Sequence, residues 1–120
     1  MCFYIHPEHQ KKLIATEAIT CYKRLVVNHL RKKVSPYLLM QYKTRQIYSD
    51  KIGRICGIYR PTIKKGLHSY STLRGVIGGV EHLGGIIMEC KIPKGAEYYY
   101  NPSKKEYVSN QLRTVKLIKI

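Results

Sequence analysis

Three groups of side chains in this 120-residue chain could do chemistry. The first is Cys2, His6 and His9, spaced C-x3-H-x2-H. A thiolate and two imidazoles are competent zinc ligands, but zinc wants a fourth and none is evident. The stretch also lies at a terminus, where incidental Cys and His on an irregular arm are the simpler reading. No metal and no cofactor is expected. The second group is His68-Ser69-Tyr70-Ser71, at an expected junction of strand and helix. Free N–H groups at a helix start attract anions. With Ser71 in the first turn and His68 beside it, a phosphate could be met there, although Ser71 acting as a plain N-cap explains the same residues. A Ser–His nucleophile fits less well. Neighbouring residues on a strand point to opposite faces, so His68 and Ser69 diverge, and no carboxylate is placed to orient the imidazole. No catalytic residue is assigned.

The third group is the cations. The chain holds 22 Lys+Arg against 7 Asp+Glu, a formal +15, together with 11 Tyr, a single Phe and no Trp. The basic residues cluster at Lys11-Lys12, Lys23-Arg24, Arg31-Lys32-Lys33, Lys43/Arg45, Arg54/Arg60/Lys64-Lys65, Lys104-Lys105 and Arg113/Lys116/Lys119. Tyr lies near most of them. Lys or Arg interleaved with aromatics suits phosphate contact and base stacking. For any one cluster a solvated surface is the simpler explanation. For the sum it is not, because self-repulsion of this size works against a compact state. The expected partner is therefore anionic: a nucleic acid or nucleotide, or an acidic host protein. The candidate contacts are Lys23, Arg24, Arg60, Lys64, Lys65, His68, Ser69, Tyr70, Ser71 and Arg113. There is no RNP1 box, zinc-finger spacing or P-loop to narrow the partner.

The elements that must carry these residues read mostly as short strands. Ala18–Val27 sets Ile19, Cys21, Lys23 and Leu25 on one face and Thr20, Tyr22, Arg24 and Val26 on the other. Asn28–Ser35 reads as a cationic loop or a turn of helix. Leu38–Tyr42, Gln46–Ser49, Ile52–Tyr59, Gly66–Tyr70, Ile86–Ile92, Ala96–Tyr100, Glu106–Ser109 and Leu112–Ile120 follow as strand candidates. The one main helix is expected near 72–83, where Val76, Ile77, Val80 and Leu83 make an apolar stripe and Ser71 is the N-cap. The expected fold is α+β, a single small domain with a mostly antiparallel sheet, barrel-like in one version, over 17–120. Residues 1–16 are an N-terminal arm. No stretch is apolar enough for a membrane span. The opening MCFYIHPEHQKK places charge and proline where a signal peptide needs an apolar core. Four scattered Cys without that signal suggest reduced thiols, with Cys21, Cys56 and Cys90 as small buried hydrophobes. Homo-oligomerisation is left open.

Several ordered segments carry a resemblance. They are Ile19-Thr20-Cys21-Tyr22-Lys23, Ser35-Pro36-Tyr37, Gly66-Leu67-His68-Ser69-Tyr70, Ile92-Pro93-Lys94-Gly95-Ala96-Glu97-Tyr98-Tyr99 and Tyr107-Val108-Ser109-Asn110-Gln111-Leu112. Together they resemble a group of small uncharacterised proteins of bacteriophages and prophages. The resemblance implies a setting rather than an activity: the cytoplasm of an infected bacterium, or a virion. On it rests the expectation of a non-enzymatic binding protein, one version being an inhibitor of a bacterial antiviral defence, another a virion protein contacting DNA. A weaker likeness is to ADP-ribosyltransferase folds, which would place Lys23, Ser69–Thr72 and one of Glu89, Glu97 or Glu106 around a nucleotide and makes a diverged enzyme of that class the alternative to a binding protein.

Overall fold

Two-residue alternation dominates this chain, and the computed structural model turns it into strands. The structure describes residues 3–4, 11–27, 33–34, 43–53, 55–56, 62–63, 65–77, 85–102 and 104–118. In chain order the strands are β1 (Phe3–Tyr4), β2 (Leu13–Ile14), β3 (Ile19–Val27), β4 (Lys33–Val34), β5 (Ile47–Ser49) and β6 (Ile55–Cys56). They continue with β7 (Thr62–Ile63), β8 (Leu67–Tyr70), β9 (Ile86–Ile92), β10 (Glu97–Asn101), β11 (Glu106–Ser109) and β12 (Gln111–Ile118). One short helix, α1, is described over 73–77. The main sheet runs β2-β10-β11-β8-β3-β9-β12-β5, with β4 added beside β3; β1, β7 and β6 form a small second sheet. Every described pairing is antiparallel.

The connection from β11 to β12 sets the sheet's shape. Between them lie β8, β3 and β9, about 19 Å across a flat sheet at the usual strand spacing. Only Asn110 joins them in the chain, and one residue spans about 7 Å. The sheet must therefore curl until its two halves meet at this corner. Asn110 fastens the meeting point from both sides. Its N–H donates to Glu97 O at 3.0 Å, and its carbonyl accepts from Asp50 N–H at 3.0 Å. Its side-chain Oδ1 accepts from Glu97 N–H at 2.9 Å. The sheet is not closed into a barrel: β2 and β5 end it without pairing to each other. A chain corner performs the closure that a hydrogen-bonded ladder performs in a barrel.

Curling gives the sheet an inner face. There the alternation predicted for β3 holds, with Cys21, Lys23 and Leu25 all buried. Leu67, Met88, Cys90, Ile92 and Leu112 complete the core with Ala15 and Ala96. Fully burying a side chain of Leu or Met size contributes about 1.5–3 kcal/mol, which accounts for the regularity of this face. A second, smaller cluster lies on the outer face, where Ile63 of β7 packs with Val108, Ile52 and Tyr99. The Tyr98–Tyr100 triplet splits between these layers. Tyr98 and Tyr100 point inward, their rings 5.8 Å and 4.9 Å from that of Tyr107, while Tyr99 points to Val108.

Some local expectations change. Two pieces of the N-terminal arm are paired strands, β2 lying against β10. Lys33–Val34 is a strand beside β3, where a loop or helical turn was expected. The cap of α1 is Thr72, not Ser71: Thr72 Oγ1 accepts from Gly75 N–H at 3.1 Å, as an N-cap does for the third helical residue. The Ser71 N–H instead donates to Lys105 O at 2.8 Å. Leu38–Tyr42, Arg60, Lys64, 78–83 and the Cys2/His6/His9 group lie outside the described residues.

Candidate anion-binding face

The outer face of the central strands is assembled by register. Residues directly opposite on antiparallel strands share a face. Tyr22 of β3 faces Tyr70 of β8 and Glu89 of β9. Tyr70 in turn faces Glu106 of β11, and Glu89 faces Lys116 of β12. This row of Glu106, Tyr70, Tyr22, Glu89 and Lys116 crosses five strands. One step along, Thr20 faces Lys91 and Lys91 faces Arg113. One step the other way, Arg24 faces Ile87. A bulge in β12 between Thr114 and Lys116 offsets these rows, which re-aims side chains at that point.

The Tyr70 end of the face is internally matched. Partial burial raises the Tyr70 phenol above its ordinary range; Glu106 adds to the rise and Arg24 opposes it. Burial likewise pushes up the Glu106 carboxyl, against the pull of Lys104. Arg24 lies along Gly85, where an added Cβ would sit 2.5 Å from Leu25 O and 3.4 Å from Arg24 Cγ. The φ of +112° there is a second reason for glycine.

The Lys91–Arg113 end is unmatched. Two cations placed directly opposite repel, and among the described residues neither makes an ion pair within 4.0 Å. Arg113 is exposed and Lys91 half-buried. Ile47 of β5 stands opposite Arg113 on the far side, with Lys43 and Arg45 just before it and exposed. The Asn110 corner is the reverse case. Its open cleft, about 650 Å³, is lined by Lys12, Asp50, Lys51 and Glu97 among others. There Lys12 meets Glu97 at 3.0 Å and Lys65 approaches Asp50 at 4.0 Å.

Of the residues proposed from sequence, Arg24, Tyr70, His68 and Arg113 lie on the outer face. Lys65 and Ser71 flank opposite ends of β8. Lys23 and Ser69 lie inside. Lys23 Nζ donates to His68 O at 2.6 Å, and burial lowers its pKa from 10.5 to about 8. Next to it, burial pushes the Cys21 thiol up to about 11, with Ser69 and then Lys23 pulling back. Cys90, the register partner of Cys21, is also raised by burial. Ser69 Oγ is close enough to favour the Cys21 thiolate, yet it has no hydrogen bond of ordinary geometry. These interior groups are out of reach of an external phosphate. Of the residues that the ADP-ribosyltransferase likeness would place around a nucleotide, Lys23 and Ser69 face inward, whereas Tyr70 and each of Glu89, Glu97 and Glu106 face outward.

Lys91 is the residue that sequence reading passed over. Glu89 and Lys91 are the two charged residues of Ile86–Ile92 and share the outer face, but only register reveals that Lys91 meets Arg113. The fold class is a small α+β domain built on a curled antiparallel sheet. No known protein family, curated protein or solved structure matches the chain. Among the described residues no helix is long and apolar enough to cross a membrane, and no three His, Cys, Asp or Glu side chains are grouped to hold a metal.

Proposed function

We propose that this protein is a non-enzymatic binder of an anionic partner, and that the Lys91–Arg113 end of the outer face is its contact surface. The observation that carries the reading is the facing of these two cations, without a described carboxylate to neutralise them, in a chain of net charge +15. An anion bridging them would turn a repulsion into two charge-assisted contacts. Arg113 supplies a fork for paired oxygens and Lys91 a point charge. Tyr22, a row away, adds an aromatic surface. The resemblance to small phage proteins supports an infected bacterium as the setting, with blockade of an antiviral defence as the role.

The test is direct binding to single- and double-stranded DNA, RNA, a cyclic nucleotide and an acidic peptide across a salt series. Binding driven by phosphate or carboxylate contacts weakens as salt rises. At least one probe should bind with that dependence, and Lys91→Glu with Arg113→Glu should abolish it. No binding, or binding indifferent to both salt and these substitutions, would overturn the reading.

A further inference from the structure

Among the described residues, the strand next to this patch has an unpaired main-chain edge. In the main sheet β5 is terminal, paired only to β12 among the described residues. The phase of its backbone follows from two bonds. Thr114 N–H donates to Gln46 O at 2.8 Å, and Asp50 N–H donates to Asn110 O at 3.0 Å. Gln46 and Asp50 therefore direct their main-chain groups to the sheet, and by strand alternation so does Tyr48. The N–H and C=O of Ile47 and Ser49 then point away from it. An open edge of this kind is a template for another strand.

Side chains fit the same picture. Ile47 is 64% exposed, an apolar contact for a strand laid alongside. Tyr48 points inward against the core. Lys43, Arg45 and Lys51 bracket the edge, all exposed and without an ion pair among the described residues, and Arg113 stands beside Ile47. The edge formed by β2 differs, because its neighbour Lys12 is already engaged with Glu97.

We propose that β5 receives an extended acidic segment of a partner protein by strand addition. Main-chain bonds to Ile47 and Ser49 would supply affinity, and carboxylates meeting Arg45, Arg113 and Lys51 would supply selectivity. From Arg45 to Lys51 the extended span is about 20 Å, so about six or seven partner residues are engaged. The inference rests on the anion-binding reading and narrows the partner to a peptide, because a nucleic acid cannot use the free amides and carbonyls in a ladder.

The experiment uses a synthetic peptide of about seven alternating Glu and Val residues, in three forms. One is unmodified, one is N-methylated on its Glu amides and one on its Val amides. Charge is identical in all three. Strand addition exposes one phase of amides to β5 and leaves the other outward. One methylated form should lose about tenfold or more in affinity, while the other binds close to the parent. Ile47→Pro removes an edge-facing N–H without touching the bonds to β12. It should weaken the parent peptide to a similar degree and leave single-stranded DNA unaffected. If both methylated forms bind like the parent, recognition is by charge alone and strand addition fails, while the anion reading stands. If DNA binds with salt dependence and the peptide does not, strand addition again fails and a nucleic acid is the partner. If neither binds, and RNA and the cyclic nucleotide fail as well, the anion reading itself falls.

Discussion

Lys23 and Lys91 lie on neighbouring strands, three residues apart in register, and meet opposite surroundings. Lys23 is on the inner face, 6% exposed, hydrogen-bonded to a carbonyl and held at a lowered pKa by its burial. Lys91 is on the outer face opposite another cation. One positive charge is shielded by protein at a cost to its charged form. The other is left facing water with a like neighbour. The excess of +15 is thus no single pool. The pleat sorts it, residue by residue, into charges a ligand can meet and charges it cannot.

The largest effect that can test this division is a cavity. Met88 faces inward and is fully buried, whereas Glu89, its neighbour, faces outward. Met88→Ala should cost about 2–5 kcal/mol, and Glu89→Ala no more than about 0.5 kcal/mol, both by urea denaturation. Comparable losses at the two positions would mean that the outer face is as tightly packed as the inner and cannot serve as an open contact surface.

Asn110 comes next, since it holds the curl that creates the two faces. Asn110→Ala removes the acceptor of the Glu97 N–H and should cost about 1–2 kcal/mol. Asn110→Asp keeps an oxygen there and should cost less. Equal losses for both would show that the main-chain bonds alone secure the corner.

How much of this division was legible beforehand differs between levels. The alternation of Ile19–Leu25 was plain in the sequence, because β-branched and apolar residues recur every second position and each step reverses the face. It also put Lys23 with the inward set, yet its charge argued for the surface. Burial of the neighbouring apolar side chains decided otherwise. The strand from Ile86 to Ile92 was recognisable to the residue. Its pairing was not, since register between strands far apart in the chain depends on the whole fold. Lys91 and Arg113, separated by more than twenty positions, become neighbours only through β9–β12 pairing. The curl at Asn110 left no composition signal either. Between the expected strands Glu106–Ser109 and Leu112–Ile120 stand Asn110 and Gln111, a link of hairpin length, and the strands in fact belong to opposite halves of the sheet. Thr72 replaced Ser71 as cap because β8 runs through Tyr70 and its last turn of chain is bonded to Lys105.

Lys23 gives the third prediction, in pH. Unfolded, it keeps its proton up to about 10.5; folded, it releases it near 8. Between these values the unfolded chain binds more protons, so stability rises with pH. Above about 9 the buried thiols act in the other direction: Cys21, raised from 9.0 to about 11, stays protonated in the fold after ionising in the unfolded chain. The rise should therefore be seen between pH 8 and 9, with a size of about 1 kcal/mol. Lys23→Met should flatten it. A slope that persists in this variant would place its source elsewhere and bring Lys23 closer to Lys91 in character.

The smallest effect on stability belongs to the outer pair and is the sharpest for function. Facing like charges on a sheet destabilise by about 0.2–1 kcal/mol. Lys91→Gln or Arg113→Gln should accordingly raise the midpoint of thermal unfolding slightly at low salt, and the gain should vanish at high salt as screening removes the repulsion in the parent protein. Either substitution should also weaken anion binding. Stability and binding would then move in opposite directions at one position, the pattern of a site held in a less stable arrangement for the sake of a ligand. If both substitutions lower stability at low salt, the two cations contribute to the fold through interactions of their own, and the contrast with Lys23 narrows to one of burial alone.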